Sequence, residues 1–183
     1  MDAQNWLRQR LFEWTQPGRP GDGYVLVAGG ERAGGLRFEH WSRESAEGET
    51  PFGRWVFKRE GFWKPRYVVL QGDTGEEVAV YSPRWSATEG TLLTGRGTRY
   101  AWGVTRFFGG EHALRDASGR TVFVLTRGLE RSRWTDIFKQ QGTVRTDGLM
   151  GDGRTLSILI LFAWWMILLQ AEEAAGAAVV VMG

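Results

Sequence analysis

The stretch that decides the fold is Thr155–Ala171, which reads TLSILILFAWWMILLQA. It contains no charged residue, and its apolar side chains would surround a helix on every side, so the helix has no face suited to water. Two environments remain for such a helix: a lipid bilayer or the interior of a protein. At about 1.5 Å per residue the run spans about 25 Å, which is short of a hydrocarbon core of roughly 30 Å.

Two tryptophans inside the run favour the protein interior. Trp164 and Trp165 lie near its middle, whereas membrane helices concentrate Trp at the two interfaces. The flanking charges favour neither the bilayer nor the protein interior, because Arg154 precedes the run and two glutamates follow it. We therefore expect a helix buried in the core, and we keep a tail anchor in the bilayer as the alternative.

The chain from Tyr24 to about Asp147 has the pattern of short β-strands separated by Gly- and Asp-rich turns. At roughly 8–12 residues per strand and turn, this length predicts on the order of 11–12 strands. The predicted strand segments are YVLVA (24–28), GLRFEHW (35–41), RWVFKR (54–59), RYVVLQ (66–71), EVAVYS (77–82), RYAWGV (99–104), EHALRD (111–116), TVFVLT (121–126) and RWTDIF (133–138).

No helical pattern interrupts these strands, so we expect hairpin connections and an antiparallel sheet. A barrel of about twelve strands has a lumen too wide for its own inward side chains to fill. One apolar helix would occupy the rest of the lumen. The predicted fold is therefore mainly β: a closed antiparallel barrel of about 12 strands around a central hydrophobic C-terminal helix.

The chain ends flank this barrel in the predicted organisation. Residues 3–14 place Ala3, Leu7, Leu11 and Trp14 at helical spacing, which predicts a short N-terminal helix. The predicted units are a helix and Pro/Gly linker at 1–22, the barrel with its central helix at 23–171, and a low-complexity tail at 172–183. We expect the tail to fray or to lie along the surface.

Composition excludes several classes of site. The 183 residues include no cysteine and two histidines, which rules out disulfides and thiolate metal sites and argues against a multi-histidine metal centre. The formal net charge of +2 does not point to nucleic acid. No apolar segment of the kind found in secretory signals opens the chain. We expect no cofactor and a cytoplasmic location, with peripheral attachment at the inner membrane if lipid is bound.

The best candidate for an anion site is a group of cations on two predicted strands joined by 60–63. Residues two apart on a strand share a face, so these cations would form a patch able to hold a phosphate group. Aromatic residues at the turn suit a lipid interface. The alternative is a set of solvated residues in an Arg-rich chain. The candidate residues are Lys58, Arg59, Phe62, Trp63, Lys64 and Arg66.

Three other patterns favour a structural interpretation. Residues 29–35 (GGERAGG) lack the spacing of a phosphate-binding loop and predict a glycine hairpin turn. Residues 147–152 hold two carboxylates without EF-hand spacing, and Asp152 or Thr155 can cap the following helix. His40 and His112 lack accompanying catalytic or metal-binding residues, so we expect exposed or strand-paired histidines.

Several phrases resemble a known group of proteins. They are GRWVFKR at 53–59, VAVY at 78–81 followed by Pro83 and Trp85, residues 97–102, and the terminal helix. Over Tyr24–Ala171 the chain resembles bacterial members of the tubby-like C-terminal superfamily, which includes LURP-one-related proteins and phospholipid scramblases. The resemblance implies a twelve-stranded barrel around a hydrophobic C-terminal helix.

The resemblance also implies binding rather than catalysis, since tubby domains hold phosphoinositide headgroups through Lys and Arg on neighbouring strands. The calcium-binding segment and cysteine cluster of scramblases have no counterpart here, which argues against scramblase activity. We expect a non-enzymatic module that recognises anionic phospholipid headgroups or a membrane surface. The alternatives are a soluble scaffold that binds an unknown protein partner, and a tail-anchored membrane protein with residues 155–171 in the bilayer.

Overall fold

The structure of the chain is a computed structural model. It describes residues 1–17, 23–38, 43–61, 63–84, 88–106, 110–128, 141–147 and 152–181, and for residues 106 and 174–181 it describes the backbone. The elements are α1 (Ala3–Arg8), β1 (Leu11–Thr15), β2 (Tyr24–Ala28), β3 (Glu31–Phe38), β4 (Ser45–Thr50), β5 (Gly53–Glu60), β6 (Arg66–Gln71), β7 (Glu77–Pro83), β8 (Gly90–Thr94), β9 (Arg99–Arg106), β10 (Glu111–Asp116), β11 (Thr121–Arg127), β12 (Gly142–Thr146) and α2 (Gly153–Val181).

The twelve strands form one closed barrel in which each strand pairs antiparallel with its neighbours in sequence. β1 completes the circle by pairing with both β12 and β2. The predicted fold class, with its central helix and short N-terminal helix, is confirmed. Gly29 and Gly30 connect β2 to β3 with φ of 56° and 80°, the left-handed values that a tight hairpin turn requires. The glycine hairpin is therefore confirmed at these two residues, and β3 begins at Glu31.

The N-terminal helix is shorter than predicted, because α1 ends at Arg8 and the chain then becomes β1. Phe12 and Trp14 are fully buried while Leu11 and Glu13 are exposed, which is the two-residue alternation of a strand. The helical spacing was misleading because Leu11 and Trp14 belong to a strand that fills the gap in the barrel. The barrel consequently starts at Leu11 instead of residue 23.

Four strands were absent from the prediction, namely β1, β4, β8 and β12, and the segment RWTDIF lies outside the described residues. In β4 the inward residues are Ala46 and Gly48, which alternate with outward glutamates. Glycine, alanine and glutamate are poor strand formers by propensity. Gly48 occurs here because a Cβ atom on it would lie 2.9 Å from Leu161 of α2.

The lumen is filled by α2. Its side chains from Leu156 to Leu169 are buried, with relative exposures of 5 % or less. Trp164 stacks on Trp14 of β1 with ring centroids 5.5 Å apart, and Tyr24 of β2 meets it edge-on at 5.6 Å. Gly142 of β12 makes room for the same indole, since a Cβ atom there would lie 2.6 Å from it. These contacts make α2 the common core of all the strands.

The helix is longer than Thr155–Ala171 at both ends. It begins at Gly153. The side chain of the preceding residue, Asp152, accepts hydrogen bonds from the backbone N–H groups of Arg154 and Thr155 at 3.1 and 3.3 Å. The predicted capping by Asp152 is thereby confirmed. The backbone remains helical to Val181, beyond the predicted end of the helix at Ala171.

In an antiparallel barrel, successive strand connections lie alternately at one end and at the other. The two ends therefore have different sets of connections. At the end where α2 begins, which we call the α1 end, α1 packs across the opening and the strand connections are 29–30, 51–52, 72–76, 95–98 and 117–120. At the end where α2 leaves, which we call the exit end, the connections are 16–23, 39–44, 61–65, 84–89, 107–110 and 128–141.

Candidate functional site

The predicted cations lie on a hairpin at the exit end, formed by β5 and β6. The strand register pairs Lys58 with Val68 and Arg59 with Tyr67, which confirms the predicted hairpin. Residues opposite each other across an antiparallel pair share a face of the sheet. Tyr67 is buried in the barrel, so Arg59 faces the lumen side whereas Lys58 faces outwards.

Arg59 is engaged in ion pairs at the mouth of the barrel. Its guanidinium lies 3.5 Å from the carboxylate of Glu44 and 3.2 Å from that of Glu173 on α2. Only 25 % of its side chain is exposed. Arg59 therefore fastens α2 to the exit end, and its charge is already balanced by two acids.

Arg66 is the first residue of β6 and faces outwards. It forms ion pairs with Glu60 at 3.5 Å and with Glu77 at 2.7 Å. Lys64 is exposed and precedes the strand, so it does not share a strand face with Arg66. The four cations therefore do not form one patch. Within the part of the chain that the structure describes, Lys58 and Lys64 are the members of the group without an ion pair.

Trp63 lies beside Lys64 in the same connection and is 90 % exposed. Among the other large apolar side chains that the structure describes, Leu11 has the highest exposed fraction, 44 %. An indole this exposed lies outside the core, and exposed tryptophans suit a membrane interface or a partner surface. Phe62, which was predicted to act with it, lies outside the described residues.

Arg43 completes a polar collar around α2 at the exit end. Its guanidinium donates a hydrogen bond of 3.1 Å to the carbonyl oxygen of Leu168, and its backbone N–H donates one of 3.2 Å to Glu172. Its carbonyl oxygen accepts a 2.8 Å bond from the indole of Trp165. We define the exit collar as Arg43, Arg59, Glu172 and Glu173. The collar holds the helix where it leaves the barrel.

Among the described residues of the connections at the exit end, Trp63 is the aromatic one. At the α1 end, Phe52 is the aromatic residue of the corresponding strand connections.

A groove of about 530 Å³ lies on the outer face of β2–β5 and was not predicted from the sequence. Arg32 pairs with Glu49 across it, and Arg37 lies 3.4 Å from Glu47. Gly35 leaves room for the side chain of Arg32 in the groove, since a Cβ atom on Gly35 would lie 3.3 Å from the Arg32 guanidinium. The alternation of Arg and Glu on successive strands is visible in the sequence, but the register that brings them together is not.

The charges that line this groove cancel. Its arginines are Arg32, Arg37 and Arg54, and its acids are Glu47, Glu49 and Asp73. Each of the first two arginines is already paired with a carboxylate, so an incoming anion would have to displace one. The groove is therefore a poor phosphate site and a better surface for a partner that carries both signs of charge.

His112 lies on β10 and is buried. It is 8 % exposed and stacks on Trp102 with ring centroids 5.1 Å apart and planes 9° apart. Its Nδ1 atom has no hydrogen-bond partner among the described residues. Burial lowers its pKa below the usual histidine value, against a hydrogen bond to the backbone of Gly110 that raises it. Of the two expected environments, exposed or strand-paired, His112 has the second, since it lies in β10 opposite Leu125 and Val104. His40 lies outside the described residues.

The remaining acidic residues do not assemble a metal site in the described part of the chain. No group of three His, Asp or Glu side chains converges there. Burial acts to raise the pKa of Asp152, but hydrogen bonds from Thr155 and the charge of Arg96 at 3.0 Å outweigh it, and the pKa lies below its usual value. Asp152 is thus an ionised helix cap.

One helical segment among the described residues, Gly153–Glu173, is long and apolar enough to cross a membrane by length and composition. Its most apolar window has a mean hydropathy of 1.7, and 78 % of that window is buried inside the protein. Such burial is typical of the core helix of a globular protein, which has the same composition as a membrane span.

Comparison with known proteins gives one structural similarity. No family model matches the chain, and no curated protein matches it. The fold is similar to the X-ray structure of a protein from Arabidopsis thaliana, with a TM-score of 0.55 over 92 % of this chain and 95 % of that one. The two sequences are 9 % identical, so the likeness concerns the fold alone.

Proposed function

We propose that the protein is a non-enzymatic binding module of the tubby-like kind that attaches to anionic membrane surfaces through the exit end of its barrel. The observation that carries this proposal is Trp63, an indole 90 % exposed at a hairpin tip beside Lys64. Trp is favoured at the boundary between water and hydrocarbon, and a neighbouring cation adds attraction to lipid phosphates.

The architecture supports the tubby-like assignment. A closed barrel of twelve antiparallel strands surrounds an apolar C-terminal helix, and the similar Arabidopsis structure spans nearly the whole chain. The phrases at 53–59 and 78–81 lie on β5 and β7, in the half of the barrel that holds the proposed surface. A barrel filled by its own helix leaves the outer face and the two ends as binding surfaces.

The charges support weak and reversible attachment. Lys58 and Lys64 remain for lipid phosphates, because Arg59 and Arg66 each pair with two carboxylates. A cation near an anionic surface contributes about 1 kcal/mol, and the attraction falls off within about 10 Å at ordinary salt. Two lysines and one indole therefore suit a peripheral protein whose binding weakens as the salt concentration rises.

Vesicle sedimentation tests the proposal. We expect binding to vesicles of phosphatidylcholine with phosphatidylglycerol and much weaker binding to phosphatidylcholine alone. The double variant Lys58→Ala/Lys64→Ala should lower the affinity by roughly fivefold per lysine, and Trp63→Ala should lower it further.

The matched control is Arg99→Ala/Arg115→Ala, which removes two exposed cations close to the α1 end. It should leave vesicle binding within about twofold of the parent, because only charges near the surface contribute. Equal loss of binding in both double variants, or binding that ignores phosphatidylglycerol, would refute attachment through the exit end.

A second candidate function, a soluble barrel that binds a protein partner, is favoured by the groove on β2–β5. Its alternating Arg and Glu side chains would accept a polypeptide with both signs of charge. A photoreactive probe on Val56→Cys, in the groove, should then crosslink to a partner, whereas the same probe on Leu93→Cys, on the outer face of β8, should not. Crosslinking from both positions would argue against a groove-specific partner.

The third candidate, a tail anchor formed by residues 155–171, conflicts with the burial of that segment in the barrel. Its insertion would require α2 to leave the lumen and expose the inner faces of twelve strands to water. Carbonate extraction of membranes is the direct test, and we expect the protein in the soluble fraction. Recovery in the pellet would support the anchor.

A further inference from the structure

The groove on the outer face of β2–β5 crosses the strands instead of following one of them. Its lining starts at Val25 of β2, passes over Gly35 of β3, and ends at Gly72 and Asp73, which follow β6. Neighbouring strands are about 4.8 Å apart, so the distance from β2 to β6 gives the groove a length of about 19 Å. A ligand that fills the groove is therefore elongated.

Two rows of outward-facing positions border the groove, and the members of each row lie opposite one another in the strand register. The rows are Gly35, Glu49 and Arg54, and Arg37, Glu47 and Val56. They are two residues apart along each strand, which separates them by about 6.7 Å. An α-helix with its side chains is about 10–12 Å across and is too wide to lie between them. A polypeptide in this groove is therefore extended.

The charges that line the groove change sign from each strand to the next. Arginines on β3 face glutamates on β4, an arginine follows on β5, and an aspartate follows after β6. In that order the residues are Arg32 and Arg37, Glu47 and Glu49, Arg54, and Asp73. Like charges therefore recur at every second strand, about 9.6 Å apart.

Two of these charges are available to a ligand without displacing a partner. Arg54 and Asp73 are exposed, and in the described part of the chain neither of them forms an ion pair. They lie at the same end of the groove, since a Cβ atom on Gly72 would be 2.9 Å from the Cβ atom of Arg54. The guanidinium can bind an acidic group, and the carboxylate beside it can bind a basic one.

We propose that the groove binds a polypeptide segment in the polyproline II conformation, with an acidic residue at every third position and a basic residue after each acid. Residues three apart then share a face and are about 9.3 Å apart, close to the spacing between the arginines of β3 and Arg54. In a β-strand, residues on one face are about 6.7 Å or 13 Å apart, which fits less closely. This inference rests on the second candidate function, a barrel that binds a protein partner.

The backbone of such a segment suits an open polar groove. Polyproline II has no internal hydrogen bonds and keeps its backbone groups solvated. The strands beneath the groove already pair with their neighbours on both sides, so they cannot add the segment as a further strand.

The side chains of the groove give each charge of the segment a partner. Arg37 is 78 % exposed and contacts Glu47 through one nitrogen at 3.4 Å. A guanidinium has five N–H donors, so Arg37 can bind the first acid and keep that pair. Arg54 binds the second acid, and Asp73 binds the base that follows it. Exposed ion pairs each add little affinity, so selectivity comes from the order and spacing of the charges.

Other ligands fit the groove less well. A nucleic acid or an anionic lipid surface would meet the carboxylates of Glu47, Glu49 and Asp73 as well as the arginines. A zwitterionic headgroup such as phosphocholine carries one charge of each sign and would occupy only part of a groove about 19 Å long. A second copy of the chain would bring one concave surface against another, and such surfaces lack the shape complementarity of protein interfaces.

Fluorescence anisotropy with labelled hexapeptides tests the inference. The probe Glu-Lys-Pro-Glu-Lys-Pro has its acids three residues apart, and the control Glu-Lys-Glu-Lys-Pro-Pro has the same composition with acids two apart. We expect the protein to bind the probe about fivefold more tightly than the control. Equal affinity for the two peptides, or higher affinity for the control, would overturn the inference. Displacement of the probe by phosphocholine would identify a headgroup as the ligand and would also overturn it.

Variants of Arg54 test whether the probe lies in the groove. Arg54→Ala should weaken binding by about fivefold, and Arg54→Glu by about tenfold or more. Replacing one glutamate of the probe by lysine should restore binding to Arg54→Glu. The matched control is Arg115→Glu, which makes the same charge change at an exposed position of β10. It should bind the probe within about twofold of the parent, and equal losses in the two Glu variants would overturn the groove as the site.

The outcomes separate this inference from the functions on which it rests or with which it competes. Crosslinking of a partner from Val56→Cys without binding of the probe would overturn the polyproline II segment and leave a protein-binding groove intact. Neither crosslinking nor probe binding would refute both. Arg54→Glu should sediment with anionic vesicles like the parent, because Arg54 lies next to the α1 end. Loss of vesicle binding in that variant would place lipid in the groove and overturn the inference.

Discussion

The two ends of the barrel are closed by different means. At the α1 end, short turns bring the strands together, and Trp6 is fully buried between Phe12 and Phe52 at ring distances of 4.7 and 5.2 Å. At the exit end the connections are longer and Trp63 is 90 % exposed. The same residue type thus fills the core at one end and faces water at the other.

This difference shows what each end uses its side chains for. The α1 end uses its aromatic side chains for packing, and the indole of Trp6 donates a 3.0 Å hydrogen bond to the carbonyl oxygen of Ala33. The exit end holds α2 through the polar side chains of the collar. Trp63 and Lys64 are exposed at this end.

The largest expected effect comes from charging the helix that joins the two ends. Trp164→Asp places a carboxylate where the indole is fully buried against Trp14 and Tyr24. An unpaired buried charge costs more than 4–5 kcal/mol, which is comparable with the whole stability of a domain. We expect no cooperative thermal transition by circular dichroism. Trp63→Asp is the control and should melt like the parent; cooperative melting of Trp164→Asp would contradict a filled lumen.

The next effect compares the two ends directly. Trp6→Ala removes a fully buried indole from the α1 end and should lower the free energy of unfolding by about 3–5 kcal/mol. Trp63→Ala removes an exposed indole from the exit end and should change it by less than about 0.5 kcal/mol. Urea denaturation measures both. Similar losses in the two variants would show that the ends do not differ as described.

His112 makes stability depend on pH. Burial lowers its folded pKa below the usual value of about 6.5, so the unfolded chain binds a proton at a higher pH than the folded one. Stability is complete above about pH 6.5 and falls by at most about 1.4 kcal/mol per pH unit as the pH drops towards the folded pKa. His112→Phe should remove this component from the urea midpoint measured between pH 7 and pH 5. An unchanged slope would assign the effect to other groups.

The smallest effect concerns the cap of α2 at the α1 end. Asp152→Ala removes the hydrogen bonds to the start of the helix and should cost about 1 kcal/mol. Because the folded pKa of Asp152 lies below its usual value of about 3.9, its contribution is present above that pH and lost as the pH falls through the folded pKa. Asp152→Asn should retain most of the stability and lose the pH dependence. Equal melting of the Ala variant and the parent would contradict the cap.

Much of the fold could be predicted because its signals are local. Strands such as β6 and β11 are rich in β-branched and aromatic residues, and the apolar run of α2 has no polar face. β4 and β12 escaped prediction because Gly48 and Gly142 are selected by α2 side chains that approach from elsewhere in the sequence. A prediction made from neighbouring residues in the sequence contains no information about contacts between residues that are distant in sequence.

The candidate site was predicted less well, since charge on a strand says nothing about which partner lies across the sheet. Lys58 and Arg59 are adjacent in sequence, but the pleat directs them to opposite sides of the barrel wall. Arg59 then pairs with Glu173, which is far away along the chain. Trp63 was identified correctly as a turn residue, because the hairpin around it follows from local sequence.

The sequence by itself determined a β-barrel with an apolar helix in its centre, because alternation and the absence of a polar face are properties of neighbouring residues. The tertiary structure alone decided that β1 closes the barrel, that Arg59 and Arg66 are paired with carboxylates, and that Arg59 meets Glu173 of α2. These features depend on strand register and on the direction of α2 through the lumen. Both are set by contacts between residues that are distant in sequence.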